Sequence, residues 1–230
     1  MRPAHLLNLP GLVPYADALD LQRALAEAVK AGERPDTVLL LEHEPVVTLG
    51  RRTHEAELHV PAGVAVDVVE TDRGGKSTYH GPGQLVCYPI VDLNRHGRDL
   101  HRYVRDLEEA IIRTLVAFGL AGERIEGLTG VWCPGPPRKI ASIGVHASRW
   151  VTTHGYALNV DLDPAPFTEW ITACGLEDAS FTTMAAELGR PLAVEAVRGP
   201  AAEAVADVFS LAFEELDAAT AEPARAVAAP

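Results

Sequence analysis

The residues whose types could do covalent chemistry are Cys174, between Ala173 and Gly175, and Lys139, which opens the apolar run Ile140-Ala141-Ser142-Ile143-Gly144. A cysteine attacks only as its thiolate, so a nucleophilic cysteine needs a base or a cation beside it. Lys139 is a candidate from elsewhere in the chain. A lysine opening an apolar strand is either an exposed strand-end charge or a partly buried amine. If buried, its pKa falls and it can exchange protons near neutrality. Cys174 follows a short helical stretch and precedes a glycine, an irregular junction where a thiol can be exposed. Cys87 and Cys133 lie in strand-like runs and read as inert core residues.

Two further segments could hold a ligand. The first is Arg73-Gly74-Gly75-Lys76-Ser77-Thr78-Tyr79-His80-Gly81-Pro82-Gly83-Gln84. Its glycines allow tight turning and close backbone approach. Gly75-Lys76-Ser77 suggests a phosphate loop, but Glu70 stands where that pattern needs its first glycine. A hairpin-like turn between strands ending at Thr71 and starting near Leu85 explains the glycines as readily as a ligand loop does, and Arg73, Lys76 and His80 less well. The second is His154-Gly155-Tyr156-Ala157-Leu158-Asn159, where Gly155 and Ala157 could line an apolar slot or let another backbone pass. The nine histidines form no metal pattern, and no serine-centred nucleophile elbow is present. No cofactor is expected.

Elements must place these residues. The period and stop signals predict helices over 15–30 and 100–118, ended by Gly32 and Gly119. Further helices are expected over 168–173, 183–188 and 200–216. Strands are expected over 37–42, 46–49, 64–71, 85–93, 139–147 and 150–162, with a turn at Ser148-Arg149 and a break, bulge or edge at Pro89. Prolines and Gly11 interrupt residues 1–14, and no secretory signal is read there. The order lacks strict alternation, so the expected fold is α/β (α+β): a mixed sheet covered by helices. One domain over 1–217 is expected, with the Ala/Pro-rich residues 218–230 disordered.

At 47% hydrophobic and 23% charged, the chain can bury a core without disulfides. A net charge of -12 argues against nonspecific nucleic-acid binding. No run approaches the roughly 18 apolar residues of a membrane span. Three widely spaced cysteines without a signal point to free thiols in a reducing, cytoplasmic compartment.

In this order, the four segments resemble the lipoyl(octanoyl) transferase family, also called lipoate-protein ligase B. The matching residues are 73–84 with Tyr88-Pro89-Ile90, Lys139-Ile140-Ala141 with Ile143-Gly144, His154-Gly155 with Ala157-Leu158-Asn159, and Cys174-Gly175. The match covers about 20–190. The resemblance implies the biotin/lipoate ligase-like catalytic fold and a catalytic Cys174/Lys139 pair. It also implies an acyl site built from residues 73–80 (Tyr79 included), Ser142, Ile143, Gly144, Gly155, Tyr156 and Ala157. The implied reaction moves an octanoyl group from octanoyl-acyl carrier protein, through a Cys174 thioester, to a lipoyl-domain lysine of 2-oxoacid dehydrogenase or glycine cleavage complexes. Ala173, Leu176, His146 and Tyr156 stand where the family usually has proline, isoleucine, arginine and phenylalanine, and Tyr156 adds a hydroxyl near the acyl site. The implied partners are acidic, like this chain, so docking requires a local basic rim, with Arg51, Arg52, Arg73, Lys76, Arg138 and Arg149 as candidates. The competing readings are an ATP-dependent lipoate or biotin ligase of the same fold and a noncatalytic binding module.

Overall fold

A computed structural model describes residues 1–171 and 180–216. Cys174 and residues 217–230 lie outside them. Eleven strands and five helices alternate irregularly in the described residues: β1 (Arg2–Val13), α1 (Tyr15–Ala31), β2 (Asp36–His43), β3 (Val46–Leu49), β4 (Asp67–Glu70), β5 (Thr78–His80), β6 (Gln84–Ile90), α2 (Leu100–Ala117), β7 (Val131–Cys133), β8 (Arg138–Ser148), β9 (Val151–Asn159), α3 (Pro166–Glu169), β10 (Ser180–Phe181), α4 (Met184–Leu188), α5 (Val194–Phe209) and β11 (Leu211–Leu216).

The large sheet runs β10-β8-β9-β6-β2-β1-β11, with β7 also on β8. It is mixed: β1 pairs parallel with β2 and β11, while β6, β8 and β9 pair antiparallel. Side-chain alternation divides two cores across it. Val38 and Leu40 of β2 pack with Leu107, Ile111, Val197 and Val205 of α2 and α5. Leu39 and Leu41 pack with Leu25 and Val29 of α1 on the opposite face. A smaller sheet, β4-β3-β5, packs through Val47 and Tyr79 against Phe167 of α3.

Several sequence expectations change here. Residues 2–13 form a strand despite Pro3 and Pro10. The irregularity they introduce is absorbed as a register shift between Asn8 and Leu12, with Gly11 at φ 69°. The segment between Thr71 and Leu85 is not a hairpin turn. β4 and β5 flank β3 on opposite sides, one parallel and one antiparallel, so the glycine-rich run crosses over the small sheet. The turn after β8 sits at Arg149-Trp150, both at positive φ. The C-terminal helix begins at Val194 and runs through Pro200, because Val194, Val197, Ala201 and Val205 form one buried stripe. It stops at Ser210 in the left-handed conformation, and 211–216 become an edge strand beside β1. The expected helix over 168–173 is a single turn ending at Glu169, and 172–173 lie outside the described residues.

Pro89 sits inside β6 where β9 offers it no ladder partner; β6 and β9 pair only over 84–87. Its carbonyl instead accepts from Thr152 Oγ1 at 2.7 Å and Tyr103 OH at 3.3 Å. Gly83, between β5 and β6, sits at φ 85°, and a Cβ there would lie 2.7 Å from the Asp161 carbonyl. Its N–H donates to Glu42 and its carbonyl accepts from Val160 and Asp161. Gly83→Ala is therefore expected to destabilise the fold by roughly 1–3 kcal/mol, measured by urea unfolding. An unchanged midpoint would show that this crossing can relax.

Candidate active site

A cavity of about 460 Å³ opens where the glycine-rich run meets β8 and β9, within the roughly 300–1,000 Å³ usual for small-ligand sites. The run is held from both sides. Arg51 and Arg52 donate backbone N–H groups to the Arg73 and Gly75 carbonyls, and Gly74 N–H donates to Val145 O at 2.9 Å. Glycine is required where these backbones cross. A Cβ on Gly50 would sit 2.5 Å from Gly75 O, and one on Gly144 would sit 3.0 Å from Gly74 O.

Arg73 is buried. Its guanidinium donates to Thr48 Oγ1 and O at 2.8 and 2.7 Å, to Lys76 O at 2.8 Å and to Gly74 O at 3.2 Å. These bonds satisfy the carbonyls of a tight loop, so Arg73 organises the cavity wall. Lys76 pairs with Glu57. Gly74, Gly75, Lys76, Ser77, Thr78 and His80 line the cavity with Arg73, as do Lys139, Ser142, Ile143, Gly144, Gly155, Tyr156 and Ala157. Tyr79 does not. β5 alternation turns its ring to the small sheet, edge-on to Phe167 and Trp170. The Tyr156 hydroxyl is buried against Cys87, and burial holds it well above the usual tyrosine range.

Lys139 is 4% exposed, and its ammonium lies 5.3 Å from the Trp132 ring centroid. Beside it is Gly130, where a Cβ would come within 2.7 Å of Lys139 Cε and 3.3 Å of Nζ. Phe181 pairs with Lys139, so the described chain rejoins the sheet at this residue, seven positions after Cys174. Burial pushes the Cys87 thiol up to about 12 and the Cys133 thiol up to about 11. Both therefore stay protonated at neutral pH and make poor nucleophiles.

Composition and spacing missed the polar floor of the cavity. Tyr15, Tyr88 and His154 line it too. His154 carries φ 59° within β9. Its ladder partner Val145 packs toward α2 and α5, and strict alternation would send His154 the same way. The left-handed backbone turns it to the α1 face. There its N–H donates to Gln22 Oε1 at 2.7 Å, Nε2 meets Asp72 Oδ1 at 2.8 Å and Nδ1 lies 3.5 Å from Tyr15 OH. The next residue must be glycine, since a Cβ on Gly155 would lie 2.2 Å from Cys87 O. The His154 hydrogen bond holds Asp72 well below the usual carboxylate range. The sequence held His154 and Tyr88 inside its motifs, but nothing local marked the backbone flip.

His43 backs Tyr88 from behind this floor, with Nδ1 on Val13 O at 2.9 Å and Nε2 on Tyr88 OH at 2.8 Å. With Nδ1–H donating to the carbonyl, Nε2 accepts from the tyrosine, so the ring is neutral. Burial lowers its pKa to about 4. His80 is also held well below its ordinary value, first by burial and then by nearby His43. Its Nδ1 meets Gln84 Oε1 at 2.7 Å. Gln84 donates to Asn159 at 2.9 Å, and Asn159 donates to Thr182 O at 3.1 Å. Thr182 N–H donates to Lys139 O at 3.0 Å. His80 is thus joined by buried side chains to the strand carrying Lys139.

The proposed basic rim is mostly neutralised. Arg138 pairs with Glu187 and Arg149 with Glu27, which leaves the exposed Arg51 and Arg52, the latter on the cavity wall. Among the described residues no group of three His, Cys, Asp or Glu could hold a metal, and no helix is long and apolar enough to cross a membrane.

Residues 14–206 match the lipoyl protein ligase A/B catalytic domain. The chain is 51% identical over 217 residues to the octanoyltransferase of Mycobacterium ulcerans, covering 90% of this chain and 89% of that protein. It is 48% identical to the octanoyltransferase of Chloroflexus aurantiacus, covering 87% and 92%. In fold it resembles the bipartite lipoate protein ligase of Thermoplasma acidophilum (TM-score 0.76, 17% identity, 94% and 88% covered). It also resembles the biotin protein ligase of Aquifex aeolicus (TM-score 0.53, 12% identity, 91% and 70% covered).

The two buried neutral histidines give stability a definite pH dependence. An unfolded imidazole takes up its proton below about 6.5, whereas folded His43 resists protonation down to about 4. Between those values the unfolded chain binds more protons, so stability falls as pH falls. His43 alone should account for about 3 kcal/mol across that window, with His80 acting in the same direction. Urea unfolding at pH 7 and pH 4.5 checks this, and a His43→Gln variant should show a flatter dependence. Equal stability of the wild type at both pH values would contradict it.

Proposed function

This chain belongs to the lipoyl protein ligase A/B catalytic domain family and is an octanoyl-transferring acyltransferase of protein lipoylation, and we propose that it works through a thioester on Cys174, taking the acyl group from octanoyl-acyl carrier protein and giving it to a lipoyl-domain lysine. The observation that carries the mechanism is Lys139: a buried amine on the cavity wall, paired with the strand to which the chain returns after Cys174.

Lys139 draws the proton from the Cys174 thiol or stabilises the thiolate by its charge. The thiolate attacks the thioester carbonyl, the tetrahedral intermediate collapses, and the carrier-protein thiol leaves with a proton. The acceptor lysine then gives a proton to Lys139, which is neutral after protonating the leaving carrier-protein thiol. The acceptor amine attacks the Cys174 thioester, and the Cys174 thiolate departs and takes up the second amine proton as the amide forms. Thioester exchange is nearly balanced, and amide formation from a thioester is downhill, so neither step requires ATP. Oxyanion donors must come from groups other than Gly74 N–H, which is committed to Val145 O.

The cavity suits such a substrate. The cavity of about 460 Å³ has room for the acyl chain, and burial of the octanoyl chain contributes roughly 5 kcal/mol before entropic costs. Within the lining, burial holds His80 neutral, and Tyr88 and His154 are hydrogen-bonded to His43 and Asp72. The acceptors fitting this reading are the lipoyl domains of 2-oxoacid dehydrogenase and glycine cleavage complexes, and the reaction belongs to the cytoplasm.

Intact mass after mixing with octanoyl-acyl carrier protein, without ATP, tests the reading. The wild type should gain one octanoyl group and lose it to added lipoyl domain, with ping-pong kinetics. Cys174→Ala should gain none, and Lys139→Met should acylate at least a hundredfold more slowly. A Cys174→Ala protein that still acquires the acyl group, or a wild type that requires ATP, would falsify the assignment.

A further inference from the structure

Glu108 is fully buried on α2 and belongs to none of the four motif segments. Its Oε2 accepts from Arg105 at 2.7 Å and Arg124 at 3.2 Å. Its Oε1 does something different: it accepts the backbone N–H of Gly130 at 3.1 Å. Gly130 is the residue whose Cα faces the Lys139 side chain, with so little space that a methyl there would overlap Cε and the Ala141 carbonyl. Its φ of 124° is one that side-chain-bearing residues rarely adopt. The preceding residues Gly127, Leu128 and Thr129 form part of the cavity wall.

We propose that Glu108 is a positioning residue for the amine of Lys139: by fixing Gly130 against the lysine side chain, opposite Trp132, it sets where Nζ stands in the cavity. A buried carboxylate is costly unless fully bonded. A purely structural tie between α2 and Arg124 would need only Oε2, and the second oxygen reaches past it to the backbone beside Lys139. The neighbouring Arg124 reinforces the arrangement by donating to Arg105 O and Glu109 as well. Lys139 is then held from two sides. Thr182 N–H fixes its backbone on one, and Gly130 and Trp132 fix its side chain on the other.

This inference rests on Lys139 activating Cys174, and its test separates the two. Glu108→Asp keeps the charge facing Arg105 and Arg124 but is shorter by about 1.5 Å, and so loses the Gly130 bond. Glu108→Gln has one oxygen for both sets of donors; turned to the two arginines, it sets its NH2 group against Gly130 N–H and also loses that bond. In the full-length protein, single-turnover acylation by octanoyl-acyl carrier protein and alkylation of Cys174 by iodoacetamide are measured beside thermal unfolding. Glu108→Asp should slow both reactions on the order of tenfold to a hundredfold, with the KM for carrier protein unchanged. Glu108→Gln should slow both reactions likewise, whereas Arg105→Met, which leaves Oε1 on Gly130, should stay within about threefold of wild type even if its Tm falls. Should the Asp variant fail to fold, the Gln variant still decides, and slowing in Arg105→Met would show that the ion pairs matter instead of the Gly130 bond. Both variants at wild-type rates, while Lys139→Met is slow, would overturn the role of Glu108 alone. Wild-type alkylation in Lys139→Met would overturn the reading of Lys139 itself.

Discussion

The site depends on one backbone crossing. Gly74 donates its N–H to Val145 O, and Gly144, the residue before Val145 in β8, lies against Gly74 O, where a Cβ would come to 3.0 Å. This joins the loop between β4 and β5, which belongs to the small sheet, to the large sheet. The cavity is the space left between them. The loop and the strand approach this closely because glycines stand on both, Gly74 in the loop and Gly144 in β8.

Holding that loop in place requires its polar groups to be satisfied without water, because an unpaired buried carbonyl costs about 1–3 kcal/mol. Arg73 supplies the donors. A guanidinium presents a fixed fork of N–H groups, and here the fork serves Thr48, Gly74 and Lys76. The same logic recurs around the cavity. The His80–Gln84–Asn159 chain ends on Thr182 O, beside the backbone of Lys139, and Glu108 ends on Gly130. Motif residues that read as ligand contacts therefore also act as internal partners, and the rigidity they confer suits an acyl transfer that needs its reacting groups held in register.

The floor of the cavity shows how polar residues can serve an apolar substrate. His80 in the lining and His43 behind Tyr88 are kept neutral by burial, each with Nδ1–H as its fixed donor, and Tyr88 OH donates a hydrogen bond to His43 Nε2. His154 occupies a backbone conformation uncommon for a side-chain-bearing residue, and its bonds to Gln22 and Asp72 hold it there. Conformational strain of this kind persists only where surrounding contacts over-determine it, and it concentrates at functional sites.

The sequence alone determined the family, the enzyme class and the mixed sheet with its helices, because motif order and apolar period are local properties. It also picked out most of the cavity wall, since glycines that permit close approach are visible as letters. It assigned no element to 2–13 and misread 211–216 as helix, where helix-forming residues are overridden by pairing with a distant strand, β1 with β11. It placed Tyr79 in the site although β5 turns the ring away, and it omitted Tyr15, His43 and Asp72. Only the tertiary structure decided those positions. Tyr15 and His154 are brought together across 139 residues, and a single left-handed φ chose the face on which His154 stands. Neither long-range pairing nor a backbone flip leaves a periodic trace in the chain, because both are settled by burial and hydrogen-bond satisfaction of the whole fold.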